Sequence, residues 1–117
     1  MATILAPGSL QAAQTGNADS TNTIQDGDIA RPSSIRVVSA VGATPTVTVN
    51  ILGSIDGITF FNIPYALVGA PSTFVLTAIT ITTAVTTFYI LQTGQPWNFV
   101  KLNMSANTNV TLTSDYF

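Results

Sequence analysis

From residue 35 onward, apolar and polar positions alternate with a period of two, the period at which successive side chains of a β-strand leave opposite faces. The clearest run is 46–52, where Val47, Val49 and Ile51 share one face and Thr46, Thr48 and Asn50 the other. Residues 35–41 are rich in β-branched side chains and end at Gly42, which predicts a strand on propensity as well as pattern. Asp56-Gly57 follows, and Asp-Gly between two β runs predicts a hairpin turn. Residues 58–63 are the expected return strand, closed by Pro64, which cannot donate to a central ladder. A Gly69-Ala70-Pro71 break precedes runs at 73–81 and 85–91, and a Gly94-Gln95-Pro96 turn leads into 97–104. There Val100, Leu102 and Met104 face one way, and Trp97, Phe99 and Lys101 the other. An Asn-rich turn at Asn107 precedes the last run, 109–117, in which Val110 and Leu112 oppose Thr111 and Thr113.

The pattern amounts to roughly seven strands at intervals of about 8–14 residues, with no helical period, and predicts an all-β fold. A single β-sandwich over 34–117 is expected, immunoglobulin-like or jelly-roll in its strand order. Residues 1–33 differ: Gln, Ala, Gly, Asn, Asp and Ser dominate, notably in 11–20, and no period holds. They predict a loop or an extended N-terminal arm rather than a core element, either loose or laid over a neighbouring surface. Ile24 and Ile29 would pin such an arm.

Charge changes the picture most. Only 7% of the 117 residues are Asp, Glu, Lys or Arg, against roughly a quarter in soluble domains. Five Asp stand against Arg31, Arg36 and Lys101, with no charged residue between Asp56 and Lys101. This gives no basic footprint for nucleic acid. No stretch holds the 18 or more apolar residues of a membrane helix. Residues 1–14 lack a basic leader, so no secretory signal is expected and synthesis in a cytoplasm is. Free sheet proteins guard exposed strands with charge, whereas Thr77, Thr80, Thr82, Thr83, Thr86 and Thr87 stand without any. Copies of the same chain or a larger partner are expected to cover these strands.

Chemistry is scarce. The chain has no His, no Cys and no Glu, which removes the commonest bases, thiol nucleophiles and thiolate metal ligands. Asp56 reads as turn chemistry, and no catalytic, cofactor or metal site is assigned. Asp26-Gly27-Asp28, with Asp19 upstream, has the oxygen content of a calcium loop without its alternating ligands or closing Glu; a solvated turn is the simpler reading. Trp97, with Tyr65, Tyr89 and Phe60, could stack on a sugar ring, although a lone Trp is more often a packing or interface anchor. Weak surface glycan binding is retained on that basis. Asn103-Met-Ser105 and Asn109-Val-Thr111 match the N-glycosylation pattern, as chance allows in so Asn- and Thr-rich a chain.

Leu52-Gly-Ser-Ile-Asp-Gly-Ile-Thr-Phe-Phe-Asn-Ile-Pro-Tyr65 resembles a hairpin of small tailed-bacteriophage virion proteins, in which a G-S-x-D-G-x-x-F turn is followed by a strand. Thr93-Gly-Gln-Pro-Trp-Asn-Phe-Val-Lys-Leu-Asn-Met-Ser105 is similar to their G-x-x-W-x-F-V-x-L strand. The resemblance covers about 35–117 and implies a capsid decoration (cement) protein. Such a protein binds the outer shell as an oligomer, frequently a trimer, and clamps the major capsid protein against internal pressure. It implies a virion location on the capsid surface, no cofactor and no catalytic residue. A tail or head-fibre component, or a glycan-binding module, is the alternative. The interface candidates are Ile24, Ile29, Arg31, Arg36, Tyr65, Trp97 and Phe99.

Overall fold

The computed structural model describes residues 2–5, 8–25, 33–92 and 97–117. They form strands β1 (Ala2–Leu5), β2 (Gly8–Gln14), β3 (Ala18–Asp19), β4 (Asn22–Gln25), β5 (Ser33–Ser54), β6 (Phe61–Asn62), β7 (Tyr65–Leu67), β8 (Ile79–Ile81), β9 (Thr86–Leu91) and β10 (Phe99–Tyr116). No helix occurs among the described residues, so the fold is all-β as the alternation predicts. All ten strands join one hydrogen-bonded sheet in the order β1-β4-β10-β5-β9-β7, with β2 and β3 added to β10, and β6 and β8 added to β5. Every pairing is antiparallel except β1 with β4.

The spine is a ribbon of β5 and β10, paired from Phe99–Ser54 at one end to Tyr116–Ile35 at the other. The two strands expected at 35–41 and 46–52 are one 22-residue strand, and those expected at 97–104 and 109–117 are one 18-residue strand. At about 3.3 Å per residue, a straight β5 would span about 70 Å, whereas the molecule is 41 Å in its longest dimension. The ribbon therefore folds back on itself. Its bend lies where the register slips between Ser105 and Val110, with Thr44, Ala106 and Asn109 at positive φ, the geometry of a bulge that turns a strand without ending it. Asn107 holds the bend: its amide donates to Thr15 O and Val110 O, and its Oδ1 accepts from Val110 N.

One face of the ribbon is core. Ile35, Val37, Val47, Val49 and Ile51 from β5 join Val100, Leu102, Met104, Val110, Leu112 and Tyr116 from β10 in one contiguous buried cluster, with Ile63, Tyr65, Ile79, Ile81, Tyr89 and Leu91 closing it. Leu10 of β2 and Ile24 of β4 belong to the same cluster, each 0% exposed. This corrects the expectation of a loop or arm over 8–25. Those residues are sheet strands on the free side of β10, and Ile24 is a core residue rather than a surface anchor. Their polar groups are satisfied in place: the Ser20 hydroxyl donates to Asn22 O and accepts from Leu102 N, and the Gln14 amide donates to Gly16 O and Ala18 O.

Candidate functional site

Of the residues singled out as interface candidates, Ile29 and Arg31 lie outside the described residues, as do Asp26-Gly27-Asp28 and the Gly94-Gln95-Pro96 turn. Tyr65 is not a surface residue. It is 8% exposed, meets Tyr89 edge to face at 5.4 Å and shares a hydrogen bond with Thr77 Oγ1. Trp97 is half-buried against the core, 6.2 Å from the exposed ring of Phe61, and its Nε1 is buried with no partner. Phe99 is half-buried over Gly57. Arg36, Trp97 and Phe99 are thus half-buried, and Ile24 and Tyr65 lie in the core.

The outward face of β5, β9 and β10 around Arg36 mixes aromatic and aliphatic side chains with Ser and Thr. Arg36 pairs with Phe88 across one ladder and Asp115 across the other, and Val38 pairs with Thr86 and Thr113. Arg36 Nη2 donates to Asp115 Oδ2 at 2.9 Å, and its guanidinium lies 5.2 Å from the Phe117 ring centre. Aromatic side chains beside Arg, with Lys absent, are the composition of interface centres rather than of free surface. The sequence carried a signal for this face. The run 35–41 is apolar at both parities, as in strands covered on both sides.

A second apolar surface is the turn after β5, where Ile55, Ile58 and Phe61 are exposed, Ile58 at 84%. The turn is rigid because Asp56 Oδ1 accepts from Ile58 N, Thr59 N and Ser54 Oγ, and Gly57 sits at φ 80°. Asp-Gly is thus turn chemistry as expected. However, the return strand shrinks to Phe61–Asn62 and leaves Ile58 in solvent. A third surface is a cleft of about 340 Å³ lined by Tyr65, Leu67, Val75, Ile79 and Tyr89.

The described charges are mostly paired within the chain. Lys101 Nζ lies 2.8 Å from Asp19 Oδ2 and 3.9 Å from the Phe60 ring centre. Burial pushes the Asp19 carboxyl up, but hydrogen bonds from Lys101 and Asn103 and the Lys101 charge outweigh it and hold the group below its ordinary value. Backbone donors at Thr59 and Ile58, with Ser54, lower Asp56 likewise. Both folded-state values lie below those of the unfolded chain. Their stabilisation is therefore complete above about pH 4 and is lost as pH falls through the folded values. Thermal midpoints measured between pH 7 and pH 2 should drop on this acid side, and the drop should flatten in Asp19→Asn and Asp56→Asn. An unchanged acid limb in both variants would contradict the assignment.

Among the described residues, no group of three or more His, Cys, Asp or Glu side chains could hold a metal ion, and no helix is long and apolar enough to cross a membrane. What these surfaces can do chemically is bind neutral, apolar partners. No family model, no curated protein and no solved structure matches this chain.

Proposed function

We propose that this chain is a structural virion protein that decorates a phage capsid, binding the major capsid protein on the outer shell as a homo-oligomer. The observation that carries this reading is a filled core coexisting with exposed large apolar side chains, Ile55, Ile58, Phe61, Leu67, Val68, Leu76 and Phe117 among them. Such side chains in contiguous patches mark protein contacts. The bent β5–β10 ribbon supports a sandwich whose two layers are the halves of the ribbon, closed over one core. A domain of this kind acts through surface complementarity and fixed shape. The apolar area it covers on the shell contributes about 25 cal/mol per Å², less the ordering cost of association.

Ile58 gives the test, because it is exposed and held on a rigid turn. Ile58→Asp should change folding stability by no more than about 0.5 kcal/mol and weaken binding to shells stripped of this protein by roughly tenfold or more, the scale of an interface anchor. Co-sedimentation of wild type and variant with such shells measures it. Wild-type protein that stays in the supernatant, or a variant that binds as tightly, would count against the reading.

A further inference from the structure

The register of the outward face around Arg36 places its residues in rows across the strands. One row runs Phe88, Arg36, Asp115, Ser9 from β9 to β2. The row on one side holds Ile90, Ser34 and Phe117, with Ser34 and Phe117 joined by two backbone hydrogen bonds. The row on the other side holds Thr86, Val38 and Thr113. The face thus carries one positive and one negative group side by side, surrounded by aromatic, aliphatic and Thr side chains.

We infer that this face pairs with the same face of a second copy, about a two-fold axis that runs along the strands between β5 and β10. The direction of the axis follows from charge. An axis across the strands at this row would place Arg36 over Arg36 and Asp115 over Asp115, like charge against like. An axis along the strands places Arg36 of each copy over Asp115 of the other. Among the described residues, Arg36 donates to Asp115 through Nη2 and Asp115 accepts through Oδ2. Both side chains retain access to a partner copy, at 39% and 22% exposure.

The same rotation matches size as well as charge. Phe88 falls over Ser9 and Phe117 over Ser34, a large side chain over a small one, while Val38 meets Thr113, a side chain of its own size. The strands of the two copies then run nearly aligned, a standard way for sheet faces to pack. Four strands at about 4.8 Å spacing, over three rows, give a face of about 400 Å² per copy, a small interface whose specificity rests on the charge match. A self-complementary face joins copies in twos, so the unit in solution is a dimer rather than the trimer that the virion resemblance implies.

This pairing deepens the homo-oligomer part of the proposed role, but it is read from mass in solution, so its failure leaves shell binding to be judged separately. Sedimentation of the purified protein at micromolar concentration should give twice the chain mass of 12.2 kDa. Val38→Lys, which leaves the Arg36–Asp115 pair intact, should raise the dimer dissociation constant at least tenfold with an unchanged circular dichroism spectrum. Arg36→Asp and Asp115→Arg should each be monomeric alone and form a dimer when mixed in equal amounts. If either charge variant fails to fold, Val38→Lys decides. A wild-type monomer, a trimer, or a dimer indifferent to Val38→Lys would overturn the inference.

Discussion

Ile24→Ala should lower unfolding free energy by about 2–5 kcal/mol, the range for truncating a fully buried aliphatic side chain to leave a cavity. Ile24 is 0% exposed and joins the cluster containing Leu10, Val100 and Leu102, on a strand that pairs with β10 at Phe99 and Val100. In a loose arm, the same substitution would change stability by no more than about 0.5 kcal/mol. Chemical denaturation therefore separates the two pictures cleanly, because the expected loss is a large fraction of the about 5–15 kcal/mol that holds a typical domain together. A loss under 0.5 kcal/mol would return 8–25 to the status of an arm.

The second large effect is expected at Gly53 in β5. A Cβ there would lie 2.7 Å from Ile63 Cγ2 and 3.0 Å from Trp97 Cδ2 and Cγ. Ile63 is buried in the core and cannot withdraw without opening space behind it, so the strand or the indole must shift. Gly53→Ala should cost about 1–3 kcal/mol, as overpacking does, and should change Trp97 fluorescence. Gly69→Ala is the control: nothing lies within 4 Å of its Cβ, and its effect should stay within about 0.5 kcal/mol. Equal behaviour of the two variants would contradict the packing of Trp97 on β5.

The all-β class, the buried parity of 47–51, 100–104 and 110–112, and the Asp56 turn were legible in the sequence, because each rests on local pattern or local hydrogen bonding. The continuity of β5 and β10 was not. Gly42 and Asn107 read as strand ends, yet the ribbon crosses them by bulges, with Thr44, Ala106 and Asn109 at positive φ. Local sequence does not distinguish a chain that stops from one that bends while its partner strand bends with it. The N-terminal strands were hidden for a related reason. A register slip and positive φ at Ala13 break the alternation of β2, so its buried residues are Leu10 and Gln14, four apart. Gln14 is buried because its amide bonds back to Gly16 and Ala18, which composition alone cannot announce.

The candidate site divides in the same way. Arg36 was visible as a rare charge in an apolar run, but Phe88 and Phe117 reach it only through pairings across β9 and β10. Tyr65 was a candidate as one of the aromatic residues grouped with Trp97, but the Tyr65–Val75 bridge and Tyr89 pack it into the sheet. Ile58 was assigned to a strand, whereas three acceptances by Asp56 extend the turn and lift Ile58 clear of the sheet.

The proposed decoration role is tested by cryo-electron microscopy of the particle or assembly from which the chain is purified. Density for the chain is expected on the outer shell at repeated symmetric positions, with the Ile55–Ile58 turn or the 65–80 cleft seated on the major capsid protein and strands β2 and β4 ordered within each copy. Density confined to a tail or fibre, or shells without bound protein, would contradict it.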